Sequence, residues 1–167
     1  MILFHGTTEI VEKPDISFSK SYLDFGKGFY LTTYQKQAEK WALRKGLRKQ
    51  KPAIVNVYDL SDDLEKYDVL RFNQENEKWL DFVCACRKGD NIYRGYDIII
   101  GAVANDDVFK TIDMYFRGIW SKQKALDELR YYKMNDQICI INQDVLDKEL
   151  IFRKAYQVSQ DDKSKEY

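Results

Sequence analysis

The chain has 167 residues, 44% of them hydrophobic and 14% aromatic, which fits one globular domain with a substantial core and excludes a disordered chain. The 27 Lys+Arg residues balance the 27 Asp+Glu residues, so the net charge gives no support to a strongly electrostatic nucleic-acid binder. No apolar run approaches the roughly 20 residues that span a bilayer, and no signal-peptide pattern opens the chain. We therefore expect a cytoplasmic protein that does not contact a membrane.

The first element is a short apolar run, Met1–Phe4, which predicts a buried strand. It leads directly into His5-Gly6-Thr7-Thr8, and His5 is the only histidine of the chain. A lone histidine beside an apolar run is more often a satisfied core residue than a catalytic one. Here it ends a strand and precedes glycine, where the backbone can approach a ligand closely. The following stretch, 9–23, predicts an irregular excursion.

We expect the stretch Asp24–Thr33 to organise the rest of the chain, with Gly26 and Gly28 on either side of a lysine. Residues 29–33 have the aromatic and β-branched content of a strand. A glycine hairpin beside a buried aromatic strand is the simplest interpretation, and the wall of a ligand cleft is the functional one. The glycines precede a strand, whereas the dinucleotide fingerprint of a Rossmann fold follows one, so that fold is disfavoured.

The remaining pattern alternates helices and strands without strict order, which favours an α+β fold over a doubly wound sheet. The predicted helices are 35–48 (with Thr33 as N-cap), 73–87, 107–117 and 121–132, and the predicted strands are 53–58, 96–101, 137–141 and 150–152. The chain becomes polar from Gln157 onward. We predict a single domain over 1–156 and a frayed tail over 157–167.

Two local patterns admit a structural and a functional interpretation. The basic run Arg44–Lys51 is most simply a solvated helix end, and contact with nucleic acid is the weaker alternative. The pair Cys84-x-Cys86 has no second cysteine pair and no nearby histidine, so we expect packing on a helix and no metal site. An odd number of cysteines, three in all, without an export signal indicates reduced thiols.

The first strand, the glycine turn with its aromatic strand, and the late strand together resemble the ADP-ribosyltransferase superfamily. This superfamily includes the poly-ADP-ribose polymerases and many bacterial toxins. Leu3–Thr7 resembles the histidine-glycine strand of that family, and Phe25–Leu31 resembles the polymerase-type segment that ends in tyrosine. The third landmark, a late strand with glutamate, corresponds to Asp136–Ile141, with Gln137 in the place of glutamate. The segment Asp97–Asp106 is similar to one found in a bacterial branch catalogued as a domain of unknown function. The resemblance covers about residues 1–155.

The resemblance implies an ADP-ribosyltransferase-like fold in which two small β-sheets form a split NAD cleft with peripheral helices. It implies that His5 binds the adenosine ribose, that Tyr30 stacks on nicotinamide and that Gln137 faces the nicotinamide ribose as the third catalytic residue. The implied cofactor-binding residues are Gly6, Thr7, Gly26, Gly28, Thr32, Asn105 and Asp106. For Asn105-Asp106 a helix-capping role is an equal alternative, and for Asp97 a structural role is favoured. No metal is implied.

The implied activity is NAD-dependent mono-ADP-ribosyl transfer to a macromolecular acceptor, either protein or nucleic acid, by a bacterial toxin paired with an antitoxin protein. The alternatives are an NAD glycohydrolase and a non-catalytic module that binds NAD or ADP-ribose. Gln137 keeps these alternatives open, because a neutral amide accepts a hydrogen bond but cannot remove a proton. Either the acceptor is a good nucleophile, or Asp106 or Asp136 acts as base, or the site turns NAD over poorly.

Overall fold

The computed structural model describes residues 1–74, 76–103, 106–130 and 135–159, without the side chains of residues 106 and 107. Over these ranges the protein is α+β, with five α-helices and two small β-sheets. The strands are β1 (Ile2–Thr7), β2 (Phe29–Leu31), β3 (Ile54–Leu60), β4 (Val69–Arg71), β5 (Ile98–Ala102), β6 (Asp136–Ile140) and β7 (Leu150–Gln157). The helices are α1 (Gln35–Lys49), α2 (Glu77–Lys88), α3 (Asp106–Phe116), α4 (Lys122–Leu129) and α5 (Gln143–Glu149).

The two sheets have different strand orders and both are mainly antiparallel. The three-stranded sheet has the order β1-β3-β7, and the four-stranded sheet has the order β2-β6-β5-β4, in which β4 and β5 pair in parallel. β1 and β2 are therefore edge strands, one from each sheet. Their mutual position determines whether the sheets join or separate.

The core has three layers of apolar side chains. The first lies between the sheets, where Leu3 and Tyr58 of one sheet meet Leu31 and Ile138 of the other, with α5 closing one end. The second lies on the other face of the four-stranded sheet, under α2, α3 and α4. The third lies between α1 and the outer face of the three-stranded sheet. Each sheet thus buries both faces, which explains the continuous apolar runs of β5 and β6.

Helix α1 crosses β1 at very close range, and Gly6 makes this possible. A Cβ atom on Gly6 would collide with the carbonyl oxygen of Ala38 and lie 2.9 Å from the amide nitrogen of Ala42. Ala38 and Ala42 are themselves small and fully buried. The helix therefore packs backbone against backbone over the strand that carries His5.

Several sequence predictions are confirmed and others are wrong in detail. Helices are present at the predicted places 35–48 and 107–117, and Ser121 caps α4 as its spacing indicates. The helix predicted over 121–132 ends at Leu129, and residues 131 and 132 lie outside the described residues. Thr33 does not cap α1, because its hydroxyl donates to Asp136 and leaves Tyr34 at the N-cap without a side-chain hydrogen bond. Helix α2 begins at Glu77 and not near residue 73, because Asn76 accepts the hydrogen bond of the Trp79 amide.

The late part of the chain contains more regular structure than the sequence predicts. The short strand β4 and the seven-residue helix α5 were not predicted, and both are too short to show a clear period. Strand β7 runs to Gln157, where the predicted strand ends at residue 152, because its residues pair along the whole of β3. Residues 160–167 of the predicted tail lie outside the described residues.

The remaining sequence predictions concern membranes and metals. Within the described residues, no helix combines the length and apolarity needed to cross a bilayer. The same part of the chain contains no cluster of three or more histidine, cysteine or acidic side chains placed to hold a metal ion. Cys84 and Cys86 are buried on α2, and the prediction that they pack on a helix is confirmed.

The close crossing at Gly6 yields the first prediction. Gly6→Ala should lower the free energy of unfolding by about 1–3 kcal/mol, because the colliding atoms belong to backbone that cannot rotate away. Gly95→Ala is the matched control, since a Cβ there would meet nothing within 4 Å. Urea unfolding of both variants measures the difference. Equal stabilities of the two variants would contradict the close packing of α1 on β1.

Candidate active site between the two sheets

The two sheets are joined at their edges by a single pair of residues within the described chain. Phe4 of β1 and Thr32, which follows β2, exchange two backbone hydrogen bonds of 2.9 and 3.1 Å. Backbone groups alternate in direction along a strand, so Gly6 and Tyr30 would form the next such pair. They form no backbone hydrogen bond with each other, and the strands diverge there.

This divergence creates what we call the β1–β2 cleft, defined by the backbone of Gly6 on one side and that of Tyr30 on the other. By the same alternation, the N–H and C=O groups of both residues point into the cleft and not toward β3 or β6. The two carbonyl oxygens accept hydrogen bonds from side chains: Tyr30 from His5, and Gly6 from Lys45. The two N–H groups remain directed into the cleft as donors.

His5 is held tightly at this point. Its Nδ1 lies 2.7 Å from the Tyr30 carbonyl oxygen, and its ring stacks on Phe29 with 4.5 Å between centroids. Burial lowers the pKa of His5 to about 3, and the positive charge of Lys45 acts in the same direction. The imidazole is therefore neutral over the physiological range.

The neutral ring has a defined tautomer. A carbonyl oxygen can only accept, so Nδ1 must carry the proton that His5 donates to Tyr30. Nε2 then has a free lone pair and can only accept. His5 consequently offers a ligand one hydrogen-bond acceptor, suited to a hydroxyl group.

Tyr30 fixes the glycine turn through its hydroxyl. The hydroxyl donates to the carbonyl oxygen of Gly26 over 2.6 Å and accepts from the Phe25 amide over 3.1 Å. Its ring packs against the helix-covered core and is partly exposed. Burial raises the pKa of the Tyr30 phenol well above its usual value. The ring remains the part of Tyr30 that could contact a ligand.

Packing within the protein already requires both glycines of the turn. Gly26 has φ of 75°, and a Cβ there would collide with the Tyr93 ring, while a Cβ on Gly28 would collide with Cys139. A cavity of about 170 Å³ adjoins the turn, and its lining includes Gly26 and Lys27 but none of His5, Tyr30 and Gln137. A role of Gly26 and Gly28 in cofactor binding stays a prediction.

Gln137 is a buried polar residue with an unpaired group. It lies on β6 opposite Gly101, is 5% exposed, and its Nε2 has no hydrogen-bond partner. Its side chain shares a face of the sheet with Cys139, two residues on, and therefore with Tyr30, which pairs with Cys139. An unpaired buried amide costs about 1–3 kcal/mol, and no described residue supplies the missing hydrogen-bond partner.

Asp136, next to Gln137, is fully engaged in structure. Its carboxylate accepts from the Thr32 hydroxyl and from both the amide and the hydroxyl of Thr33, over 2.7–2.9 Å. These bonds tie the end of β2 and the start of α1 to β6. The Thr32 hydroxyl is therefore committed to this structural junction and is not available to a ligand as a donor. Thr7, the other predicted threonine of the site, lies partly buried at the end of β1.

The branch segment from Asp97 is only partly described. Asp97 accepts from the Asp68 amide and the Asn142 side chain, which gives it the structural role favoured from the sequence. Asn105 lies outside the described residues. Asp106 begins α3, but its side chain is not described, so their predicted roles stay predictions.

Lys45 is a site residue that the sequence analysis missed. Its ammonium donates to the carbonyl oxygen of Gly6 over 2.7 Å, at the mouth of the β1–β2 cleft. Burial lowers the pKa of Lys45 to about 8, helped by the nearby charges of Lys49 and Arg48. The sequence does contain a signal for this burial. Ala38, Ala42 and Lys45 are separated by four and then three residues, so Lys45 lies on the same buried face of the helix as the two alanines.

Comparison with known proteins identifies the family. The model of the family described as "Protein of unknown function (DUF3990)" matches residues 1–152, and the chain belongs to that family. No curated protein sequence matches the chain.

The neutral His5 predicts a specific pH dependence of stability. The unfolded chain protonates this histidine below about pH 6.5, whereas the folded protein does so only near pH 3. The unfolded state therefore binds more protons in between, and the free energy of unfolding falls as the pH is lowered, by up to about 1.4 kcal/mol per unit. Because His5 is the only histidine, the slope between about pH 5 and pH 6.5 should largely vanish in His5→Gln.

Urea unfolding at several pH values measures that slope in both proteins. A wild-type slope no steeper than that of His5→Gln would contradict the neutral imidazole. A histidine resonance that titrates near pH 6.5 in the folded protein would contradict it as well.

The hydroxyl of Tyr30 gives a separate prediction. Tyr30→Phe leaves the Gly26 carbonyl and the Phe25 amide without their partner, and should lower the free energy of unfolding by about 1–3 kcal/mol. Tyr34→Phe is the matched control, because the Tyr34 ring is 48% exposed. Thermal unfolding of both variants distinguishes them, and a Tyr30→Phe variant as stable as the control would show that the turn does not depend on this hydroxyl.

Proposed function

We propose that this protein has an ADP-ribosyltransferase-like fold and transfers ADP-ribose from NAD to a macromolecular acceptor. The observation that carries the proposal is the β1–β2 cleft. It lies where the histidine-glycine strand and the tyrosine strand diverge, and these are the two segments that resemble the superfamily. The third segment supplies Gln137, a buried amide with an unpaired Nε2 on the same sheet face as Tyr30.

The cleft offers each part of NAD a matching group. Nε2 of His5 accepts a hydrogen bond from a hydroxyl of the adenosine ribose, because Nδ1 is committed to Tyr30. The Gly6 amide donates to the carboxamide oxygen of nicotinamide, and the Tyr30 ring stacks on the nicotinamide. Thr7 lies at the adjoining end of β1 with a hydroxyl available beside the ribose. These contacts hold the dinucleotide so that its reactive ribose faces Gln137.

The reaction breaks the bond between C1′ of the ribose and the nicotinamide nitrogen, which leaves with the electron pair. Positive charge then develops on C1′ and the ring oxygen, and an acceptor forms the new bond to C1′ while its proton passes to water or to a carboxylate such as Asp106. Gln137 holds a ribose hydroxyl through its side-chain amide, whose carbonyl oxygen can accept and whose unpaired Nε2 can donate, and thus positions the developing cation. A neutral hydrogen bond is about half as strong as a charged one, so this stabilisation is weaker than a glutamate would provide.

The amide of Gln137 cannot take the proton of the acceptor, and Asp136 is poorly placed to do so. The hydroxyl groups of Thr32 and Thr33 and the amide of Thr33 all donate to the Asp136 carboxylate. Using it as a base would disrupt the β2–α1 junction. The acceptor is therefore either a nucleophile that needs little activation or one that Asp106, the other carboxylate named from the sequence, deprotonates.

The test is incubation of the purified protein with labelled NAD and bacterial lysate, followed by separation of protein, nucleic acid and small molecules. Label in one macromolecular fraction supports transfer and identifies the class of acceptor. Free ADP-ribose alone would identify an NAD glycohydrolase. Intact NAD would leave a binding module and contradict the proposed activity.

We further propose that the protein acts as a bacterial toxin controlled by an antitoxin protein. Transfer to a macromolecule in the cytoplasm would inactivate that macromolecule. Induced expression should then arrest growth of a bacterial host, and a variant inactive in NAD turnover should not. Equal growth with both proteins would contradict the toxin role while leaving the chemistry untouched.

Gln137 provides the sharpest variant test of the chemistry. Gln137→Ala should reduce NAD turnover by roughly 10²–10³, the size expected when one partner of the transition state is removed. Gln137→Glu should preserve or raise hydrolysis of NAD, because it adds a negative charge beside the cation and a potential base for water. Gln123→Ala, on the exposed face of α4, is the matched control.

NAD consumption, acceptor labelling and melting temperature are measured together for these variants. A correctly folded Gln137→Ala with the turnover of wild type would remove the late strand from the active site. If both Gln137 variants lose NAD turnover only in proportion to a lower melting temperature, Gln137 has a structural role and no catalytic one.

A further inference from the structure

The cations around Lys45 form a cluster that the proposed roles of His5, Tyr30 and Gln137 do not use. Lys45 and Arg48 lie on α1, whereas Lys20 lies in the loop that precedes the glycine turn. Arg48 and Lys49 follow Lys45 by three and four residues on α1, on the same side of the helix. Besides burial, their charges, with a smaller effect from Lys20, lower the pKa of Lys45. Two separate elements therefore bring positive charge to the same end of the β1–β2 cleft.

Lys45 has no acidic partner in the described part of the chain. Its ammonium is bound only to the Gly6 carbonyl oxygen, over 2.7 Å, and an ammonium group can donate three hydrogen bonds. Among its neighbours, Lys49 is close to Glu9, which pairs with Lys51. A partly buried ammonium without a carboxylate is costly to maintain, and a bound anion would compensate it.

The loop that carries Lys20 is fixed in place. Ser19 accepts the Gly28 amide hydrogen bond through its hydroxyl over 2.9 Å, which ties this loop to the glycine turn. Thr8, just beyond β1, has a buried hydroxyl without a partner. Lys20 itself is exposed beside the anchored Ser19, and the Thr8 hydroxyl is a further polar group that still lacks a hydrogen bond.

We propose that Lys45, assisted by Lys20 and Arg48, binds a phosphate or diphosphate group beside Gly6 at the end of the β1–β2 cleft. Resting on the proposed function, this group is the diphosphate of NAD, which joins the ribose held by His5 to the reactive ribose. Lys45 then links two parts of the site, since the same ammonium contacts the backbone of Gly6 and the anion.

The test measures binding of inorganic pyrophosphate and of ADP-ribose to the full chain by calorimetry at low salt. Lys45→Met should weaken both affinities by about tenfold to a hundredfold, the size of one lost charged hydrogen bond. Lys40→Met is the matched control, because Lys40 is an exposed lysine of the same helix. It should leave both affinities unchanged.

Two outcomes would overturn the proposal. One is a wild-type protein that binds neither pyrophosphate nor ADP-ribose. The other is a Lys45→Met variant that loses melting temperature but keeps both affinities, which would make Lys45 a structural tie between α1 and β1.

A measurement on the wild-type protein avoids dependence on a variant that fails to fold. ADP-ribose affinity should fall as the pH rises from 7 to 10, because Lys45 loses its charge above a pKa of about 8 while the diphosphate keeps its own. The groups that face Lys45 are the cations Lys20, Arg48 and Lys49 and the neutral His5. An affinity that is constant to pH 10 would overturn the proposal.

The experiment separates this inference from the proposed function. If Lys45→Met turns NAD over with wild-type affinity, the phosphate site is wrong and the transferase proposal stands. If the wild type binds pyrophosphate through Lys45 but never consumes NAD, the transferase proposal is wrong and the phosphate site stands.

Discussion

The hydrogen bond between the His5 ring and the Tyr30 carbonyl is the interaction on which the rest of the site depends. It occupies an edge position where β1 and β2 would otherwise continue to pair. Because a side chain takes the place of a backbone partner, the two sheets separate directly after the Phe4–Thr32 bridge. The same bond fixes the histidine tautomer and leaves Nε2 as an acceptor. One contact therefore determines both the shape of the cleft and the chemistry that its first residue can offer.

The surroundings of this bond follow from packing and charge. Helix α1 lies so close to β1 that Gly6 must lack a side chain, and this proximity carries Lys45 to the Gly6 carbonyl. The charge of Lys45 in turn helps to keep His5 neutral. A cationic His5 would be repelled by the charge of Lys45, and this repulsion and burial together outweigh the hydrogen bond to Tyr30, which favours the charged ring. Of these two neighbouring side chains, therefore, only the lysine carries a charge, and the imidazole stays neutral.

The sequence predicted the elements around the site better than their connections. Strong periods and glycine turns identified β1, β2, α1 and the late strand, because these signals are local. Thr33 was misassigned as a helix cap because its partner, Asp136, is about a hundred residues away in sequence. Lys45 was wrongly predicted to be solvated because it lies within the basic run Arg44–Lys51, although it alone of that run's lysines continues the buried face of Ala38 and Ala42. The Tyr30 hydroxyl contact with the Gly26 turn depends on rotamers and on loop geometry, which composition does not encode.

Binding of NAD in the β1–β2 cleft is tested most directly by backbone amide NMR. On titration with NAD, we expect large shift changes for the amides of Gly6 and Tyr30, whose N–H groups point into the cleft. Residues beside the cavity near the glycine turn, such as Tyr93 and Arg94, should change little. Changes confined to that cavity, or no change at Gly6 and Tyr30 at saturating NAD, would contradict binding in the cleft.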